Sequence, residues 1–340
     1  MRSISNGNPI ASILITAYNR KEFLIESVKS VLNQTVERKS YEIIVSKNFK
    51  DEEIDTFLME NGCISIIDHV KGIGNRLSRM IPIAKSDIII FLEDDDLFFN
   101  NKIEQIVTLF QDKNTSYVNN SYLSIDGKGR IISAKNERKK TIRITNQKEL
   151  SKKLIRLDEK QEYFGMSNIS IRKNSFIPYI DSLKNVNVSP DLFFLILLTL
   201  VNGEFVFYNQ VLTIYRIHNS LSNIKGGFEQ FIKRRNSFWN LTIRDLDSYV
   251  NIIKYNNDLS VIKLIDIVKF QAKIHILLTN ESNKSKISFE DILQSGKILL
   301  SRKKEIYLKL LFISILGFVN KNYAQRFYYK ALVLDFYEKS

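Results

Sequence analysis

The strongest constraint on the fold is an alternation of short apolar runs with helical segments over the first hundred residues. The runs over 10–16 and 41–45 are β-branched and nearly all apolar, as expected for buried strands. Between them, residues 21–34 place their apolar side chains on one face of a helix. Such an alternation requires right-handed crossovers, so it predicts a parallel, doubly wound α/β sheet.

The alternation continues along the chain. It predicts helices over 51–60, 73–84 and 102–112, and strands over 63–68 and 87–92. The chain then reads as extended and polar from Thr115 to Lys140, with a turn over 126–129. Further strands are predicted over 164–171 and 204–215, and an apolar helix is predicted to begin at Pro190 between them.

Near residue 221 the pattern changes from alternating strands and helices to helix almost throughout. This change predicts a second domain, which a length of 340 residues also favours. Residues 221–340 read as helix almost throughout and hold 20 Lys and Arg against 11 Asp and Glu, so they carry +9 of the total charge of +13. With Gly226-Gly227 as a hinge, the predicted domains are 1–222 and 223–340. This basic balance suits an anionic partner such as a nucleotide, a nucleic acid or an acidic membrane surface.

The composition of the chain bears on its cellular compartment and on whether it can hold a structural metal site. Cys63 is the single cysteine and cannot form an internal disulfide, which favours a reducing compartment. One Cys and three His also argue against structural zinc. Residues 1–9 show no secretory signal, and the apolar runs 192–201 and 310–319 are shorter than the roughly 20 residues of a membrane-spanning helix. We therefore expect a cytoplasmic protein.

The most informative motif is the run Glu93-Asp94-Asp95-Asp96, directly after the strand predicted over 87–92. Ligands of open parallel sheets bind beyond the carboxyl ends of the strands, so these acids lie at the expected ligand edge. Carboxylates this close raise one another's pKa unless a cation offsets their charge. A hard divalent ion held by one or two carboxylates and substrate phosphates would do so. The alternative is an acidic loop that caps the next helix.

Glycine-rich phosphate loops are absent from this sequence. Gly72-Ile73-Gly74 lacks the third glycine of GxGxxG and follows the wrong strand, and there is no Walker A sequence. These absences argue against nicotinamide-dependent dehydrogenases and P-loop NTPases. No recognised nucleic-acid-binding module is present either, so nucleic acid is not an expected partner.

Over residues 10–222 the chain resembles the family 2 glycosyltransferases of GT-A fold. The motifs that carry the resemblance, in the family's order, are a strand running into Thr16-Ala17-Tyr18-Asn19-Arg20, a helix ending in SVLNQT, the strand Glu42–Val45, an acidic D-x-D-like motif at Glu93-Asp94-Asp95, Ser189-Pro190-Asp191 before an apolar helix, and Tyr215-Arg216-Ile217-His218. The sequence departs from the family where Ser46-Lys47 replaces an Asp-Asp pair and where Glu93 replaces the first Asp of the acidic motif.

The resemblance implies a GT-A nucleotide-diphospho-sugar transferase fold, Rossmann-like with a mostly parallel sheet, followed by a helical C-terminal region. It implies inverting transfer of a sugar from a UDP- or GDP-type donor to a hydroxyl of a glycan or lipid-linked acceptor. Mn²⁺ or Mg²⁺ would be the cofactor, because a divalent ion neutralises the leaving diphosphate.

Residue roles follow from the same resemblance. Asp191 is the expected general base, since the acceptor hydroxyl must lose a proton as it attacks. Glu93, Asp95 and His218 are the expected metal ligands. The expected donor-binding residues are Thr16, Tyr18, Ser46, Arg76, Arg79, Asp94 and Asp95.

Each role has a structural alternative. Ser189-Pro190-Asp191 is also an ordinary helix start, His218 a hydrogen-bonding turn residue, and the two arginines parts of a solvated helix face. The basic, aromatic-rich residues 302–330 suit a helix lying on an anionic membrane or a solvated helical cap.

Two other functions stay open at the level of sequence. A non-catalytic sugar- or nucleotide-binding protein would explain the altered Ser46-Lys47 site. A nucleotidyltransferase would normally show a glycine-rich basic loop after the first strand, where this chain has Tyr18-Asn19-Arg20.

Overall fold

The computed structural model describes residues 7–133, 138–160, 162, 164–217, 227–253, 258–280, 288–302 and 305–337. The strands in these ranges are β1 Ala11–Ala17, β2 Tyr41–Lys47, β3 Ile64–Ile67, β4 Ile88–Glu93, β5 Leu97–Phe98, β6 Thr115–Asp126, β7 Ile131–Ser133, β8 Ile142–Ile144, β9 Ile169–Arg172 and β10 Glu204–Ile217.

The helices in the same ranges include the five for which the periodicity predicts a start, and each of those five begins within three residues of the predicted position. The described helices are α1 Leu24–Leu32, α2 Glu52–Glu60, α3 Ile73–Ile83, α4 Lys102–Leu109, α5 Gln147–Glu159, α6 Lys173–Phe176, α7 Pro190–Leu197, α8 Phe228–Ile253, α9 Leu259–Thr279, α10 Phe289–Arg302, α11 Glu305–Val319 and α12 Lys321–Tyr337. Short 3-10 helices occupy Arg38–Ser40, Met166–Asn168 and Ile177–Asn185.

One mixed sheet organises the first part of the chain, in the order β3-β2-β1-β4-β9-β6-β10-β5. β3, β2, β1 and β4 are mutually parallel, as predicted, whereas β9 runs antiparallel to β4 and β6 antiparallel to β9. The register pairs Thr16 of β1 with both Ser46 of β2 and Glu93 of β4. The carboxyl ends of these three strands therefore meet at one edge, and this is the GT-A arrangement expected above.

Burial explains why the first strands form. All seven residues of β1 are buried, and α1 packs Leu24, Val28 and Val31 into the same core. Asp51 caps α2 by accepting a hydrogen bond from the Ile54 N–H at 3.2 Å, which fixes the start of that helix.

The strand predicted over 164–171 is shorter in the structure. Gly165 has a φ of 81°, a 3-10 turn follows it at Met166–Asn168, and β9 begins only at Ile169. A left-handed residue cannot continue an extended strand, so the first part of the predicted strand becomes a loop.

The chain divides into two compact units. The first contains residues 1–216 and 251–261, and the second contains residues 217–250 and 262–340. The second unit is helical, with a core that includes Phe231, Ile274, Leu278 and Tyr328. The boundary predicted near 222 lies outside the described residues. Among the helices that are described, none combines the length and the apolar character needed to cross a bilayer.

Gly74 is expected to tolerate no side chain. A Cβ placed there would lie 2.1 Å from the Leu183 carbonyl oxygen and 2.6 Å from the Val186 Cβ. We expect Gly74→Ala to lower the free energy of unfolding by about 1–3 kcal/mol, the usual range for overpacking. Urea denaturation measures this change. Gly296→Ala is the control, because nothing lies within 4 Å of its Cβ and alanine favours the helix interior. An unchanged midpoint for Gly74→Ala would contradict the expectation.

Candidate active site

The centre of the candidate site is the acidic turn, Glu93 to Asp96, at the end of β4. The turn is closed by a hydrogen bond of 3.3 Å from the Asp96 N–H to the Glu93 carbonyl, and β5 follows. Asp94, Asp95 and Asp96 are all buried, at 4%, 9% and 1% exposure. The apolar strand β4 thus places four carboxylates where they are largely shielded from solvent.

Burial is the main influence on the pKa values of these carboxyl groups. It raises the pKa of Asp94 to about 6 and that of Asp96 to about 8, with the charge of Asp95 adding to both shifts. The pKa of Glu93 is raised well above its usual range by burial and by the charges of Asp95, Asp96 and Asp191. The turn therefore holds more negative charge than its surroundings accept, and it favours binding of a cation.

Arg20 is the cation that neutralises part of this charge, and sequence reasoning assigned it no role. It follows β1, and its guanidinium bonds Asp94 through Nη2 and, at 3.1 Å, through Nε. Nη2 also lies 2.9 Å from Asp95 Oδ2. Burial opposes the charge of Arg20, but its bond to Asp94 and the charges of Asp94, Asp95 and Glu93 outweigh that cost and raise its pKa. Its place at the end of the strand next to β4 is the signal that identifies it.

Arg76 of α3 reaches the same edge of the sheet. Its guanidinium lies 4.4 Å from the centroid of the Tyr18 ring, and Nη1 donates to the Ala17 carbonyl at 3.5 Å. The side chain is 6% exposed, burial lowers its pKa, and among the described residues its Nε has no hydrogen-bond partner. A buried guanidinium with an unused donor is suited to a phosphate or carboxylate. Arg79, by contrast, has a side chain that is 57% exposed and lies 3.6 Å from Asp68.

The remaining predicted donor residues lie on β1 and β2. Thr16 and Ser46 are paired in the sheet and buried, at 7% and 0% exposure. The next residue, Lys47, is fully buried and donates to the Phe49 carbonyl at 2.7 Å while pairing with Asp55 at 2.5 Å. Ser46 and a buried lysine, which pairs with the 40% exposed side chain of Asp55, thus occupy the place of the family's Asp-Asp pair.

Asp191 opens α7 and lies close to the acidic turn, since its charge contributes to the raised pKa of Glu93. Its Oδ1 accepts from the Leu192 N–H at 2.9 Å and its Oδ2 from the Gly165 N–H at 3.2 Å. Burial raises the pKa of this carboxyl, while the backbone hydrogen bonds lower it. The two bonds fix the orientation of a carboxylate whose proton affinity is above normal, as a general base requires.

Buried polar groups bond the acidic turn to the neighbouring strands and loops. Ser167 Oγ accepts from the Glu93 N–H at 2.9 Å, and Lys102 Nζ donates to the Ser167 carbonyl at 2.5 Å and to Thr213 Oγ1 at 2.8 Å. Arg216 donates its N–H to Asp96 Oδ1 at 2.9 Å and its Nε to the Asp95 carbonyl at 3.0 Å. Sequence reasoning missed Lys102 and Ser167, because no local pattern marks a lysine that folding will bury.

Glu93 and Asp95, two of the three metal ligands expected from the sequence, both lie in the acidic turn. Within the described residues, no three of His, Cys, Asp and Glu are grouped around one possible metal position. His218, the third expected ligand, lies outside the described residues. Two carboxylates still fit Mg²⁺ or Mn²⁺, because such ions commonly take their other ligands from substrate phosphates and water.

Comparison with known proteins places this site in context. A family model described as "Glycosyl transferase family 2" matches residues 12–176. An "Uncharacterized glycosyltransferase" of Rickettsia bellii (strain RML369-C) is 35% identical over 130 residues, covering 37% of this chain and 18% of the relative. The poly(ribitol-phosphate) beta-N-acetylglucosaminyltransferase TarP of Staphylococcus aureus (strain N315) is 25% identical over 127 residues, covering 36% of this chain and 38% of TarP.

Solved structures share the fold over a longer stretch. The crystal structure of S. aureus TarS 1-349 in complex with UDP covers 97% of this chain and 92% of its own, with a TM-score of 0.53 and 11% sequence identity. At that identity the similarity shows the fold alone. The curated relatives are matched over well under half of their own length.

Proposed function

The chain belongs to glycosyltransferase family 2 through its residues 12–176, and we propose that it is a metal-dependent, inverting glycosyltransferase. The donor is a nucleotide-diphospho-sugar, and the acceptor is a hydroxyl of a glycan or a lipid-linked glycan. Catalysis resides in residues 1–222, and the helices of the second unit take no part in the chemical step.

The observation that carries this proposal is the juxtaposition of three kinds of group at one sheet edge. The acidic turn supplies carboxylates for a divalent ion, Arg76 supplies a buried donor for the diphosphate, and Asp191 supplies a carboxylate of raised pKa near Glu93. Sugar transfer from a nucleotide diphosphate needs all three: neutralisation of the leaving group, a positioned anion contact and a base.

The mechanism assigns each side chain a task. Glu93 and Asp95 would hold Mg²⁺ or Mn²⁺, which when bound acts as a Lewis acid on the diphosphate. Arg76 contacts the phosphates and Asp94 the ribose. The oxygen of the acceptor hydroxyl attacks the anomeric carbon from the side opposite the leaving diphosphate. As it attacks, Asp191 takes the proton of that hydroxyl. That single displacement inverts the anomeric configuration.

The donor is of UDP or GDP type, and the likeness to a TarS structure in complex with UDP supports the first. Thr16, Tyr18 and Ser46 line the nucleoside end of the site, because Thr16 and Ser46 lie at the carboxyl ends of β1 and β2 and Tyr18 follows β1, at the edge where Asp94 also lies. Arg79 joins Arg76 at the diphosphate only if it leaves Asp68. Lys47, paired with Asp55, cannot reproduce the hydrogen bonding of the acid that the family places there.

The test is a panel of nucleotide sugars, each measured with and without Mn²⁺ or Mg²⁺. We expect one donor to raise the melting temperature and to be hydrolysed slowly only when metal is present, since a ligand at 100 times its Kd stabilises by about 2.7 kcal/mol. Binding without turnover of any donor and acceptor pair would favour a non-catalytic protein. Transfer of a nucleotidyl group would favour a nucleotidyltransferase.

We also propose that the helical region brings the enzyme to an anionic lipid surface. Leu308, Phe312, Ile315 and Val319 share one face of α11 and are 55%, 49%, 43% and 78% exposed. We call these four residues the apolar stripe. Basic residues accompany it in sequence on α11 and α12, namely Lys309, Lys321, Arg326 and Lys330. Apolar side chains beside cations are suited to shallow insertion into an anionic bilayer.

Vesicle co-sedimentation of the full chain checks this proposal. We expect binding to phosphatidylserine vesicles at low salt and little binding to phosphatidylcholine, because each basic residue near the surface contributes about 1 kcal/mol and salt screens that attraction. Replacing Phe312 and Val319 together by Ser should weaken the binding. Leu259→Ser, at a position 79% exposed on α9, is the matched control and should leave it unchanged. Equal sedimentation of all three proteins would contradict the proposal.

A further inference from the structure

An aromatic trio, Tyr122, Phe164 and Tyr215, lies near the candidate base. The ring centroids are 5.7 Å apart for Tyr122 and Phe164, 5.7 Å for Tyr122 and Tyr215, and 5.4 Å for Phe164 and Tyr215. Each of the three side chains is only partly buried. The trio therefore keeps ring surface available for a ligand.

A second aromatic group in the same unit shows what a purely structural cluster looks like here. Its members are almost completely buried, at 0% or 1% exposure, and they are Phe91, Phe176, Phe193 and Phe194. Core packing accounts for this second group but leaves the ring surface of the trio unexplained.

The backbone ties two members of the trio to the catalytic groups. Phe164 directly precedes Gly165, whose N–H donates to Asp191 Oδ2 at 3.2 Å. Tyr215 directly precedes Arg216, which donates to the Asp95 carbonyl and to Asp96 Oδ1. The trio thus borders the space between the candidate base and the acidic turn.

On the premise of the proposed function, we propose that the aromatic trio is the acceptor platform, on which an uncharged pyranose ring stacks and presents its hydroxyl to Asp191. The C–H face of a pyranose is apolar and slightly positive, so it complements the negative face of an aromatic ring. An open-chain polyol phosphate has no such C–H face, so it gains little from stacking on the trio. A neutral ring sugar therefore fits this position better than an open-chain polyol phosphate.

The experiment compares the full-length chain with its Phe164→Ala variant, using the donor that the nucleotide-sugar panel identifies. Acceptor probes are a set of methyl pyranosides and, as an open-chain comparison, ribitol 5-phosphate. We expect transfer to a methyl pyranoside, and we expect Phe164→Ala to raise the KM for that acceptor about tenfold while the donor KM and donor hydrolysis stay unchanged.

Three further variants separate ring stacking from folding. Phe164→Tyr keeps the ring and should keep the acceptor KM. Phe164→Leu keeps apolar bulk without a ring and should show the same rise as Phe164→Ala, so the proposal stays testable if the alanine variant does not fold. Phe57→Ala removes a half-buried phenylalanine from α2 and should leave the acceptor KM unchanged.

An unchanged pyranoside KM in both Phe164→Ala and Phe164→Leu would overturn the platform while leaving the transferase itself in place. Preferred use of ribitol 5-phosphate by the unmodified chain would also overturn it. Failure of the proposed function has a different signature, because no nucleotide sugar would then be bound or hydrolysed by any variant. That result would contradict the acceptor platform as well.

Discussion

Replacing Asp191 by Asn is expected to lower the rate of sugar transfer by about 100-fold or more, the contribution of a general base. The amide is nearly isosteric and can still accept a hydrogen bond from Leu192 or Gly165, but it cannot take the acceptor proton. Donor affinity should survive, since the acidic turn and Arg76 are untouched. Single-turnover transfer and donor binding, measured on the same preparation, separate the two effects.

Asp181→Asn is the matched control for this change. Asp181 precedes α7 in the chain, its side chain is 88% exposed, and it forms a surface ion pair with Lys184. It should lose no transfer activity. If Asp191→Asn also kept most of its transfer rate, Asp191 would be a helix-capping residue and the base would lie elsewhere.

The dependence of transfer on pH should follow the raised pKa of Asp191. A base works only when deprotonated, so the turnover number should fall as pH drops through this pKa, at a pH above the usual range for aspartate. Burial also means that the folded state prefers the neutral carboxyl. Asp191→Asn should therefore unfold at a higher temperature than the unmodified chain at neutral pH, and this advantage should shrink at acidic pH, where the native carboxyl is protonated in both states.

Replacing Asp95 by Ala should abolish the response of donor affinity to Mn²⁺ or Mg²⁺. Changes in groups that merely support metal ligands cost about 10- to 100-fold in metal affinity, so the loss of a ligand should cost more than about 100-fold. The fold should persist, because Arg20 keeps its bonds to Asp94 and Arg216 bonds the backbone carbonyl of residue 95. Isothermal titration with a nucleoside diphosphate, with and without the metal, measures this loss.

The control for this second change is Asp112→Ala, which removes an exposed aspartate from the turn after α4. It should keep the full metal response. If Asp95→Ala bound the nucleoside diphosphate as tightly as the unmodified chain, and still more tightly with Mn²⁺ than without it, the acidic turn would not be the metal site. Arg20 and Arg76 would then be the groups that neutralise the diphosphate.

Local pattern was sufficient to predict the sheet edge at which the site lies. The period of apolar residues placed β1, β2 and β4 within one or two residues of their observed bounds, because buried parallel strands need continuous apolar runs. Parallel strands end at the same edge, so Thr16, Ser46 and Glu93 could be brought together from the sequence alone. The assignment of Asp191 needed the family resemblance, since Pro-Asp before an apolar run is also an ordinary helix start.

What only the tertiary structure decided is which charged groups are buried and which partners they have. Arg76 and Arg79 are equivalent candidates in sequence, yet the first is buried against Tyr18 and the second lies largely in solvent near Asp68. Tyr122, Phe164 and Tyr215 are far apart in the chain and meet only because β6, β10 and the loop before β9 converge. Lys102 reaches Ser167, which in turn bonds the acidic turn, only through the packing of α4. Hydrophobic periodicity determines the strands and helices because it is a local property. The pKa of a carboxyl and the partner of a guanidinium depend on groups distant in sequence, so folding has to bring them together first.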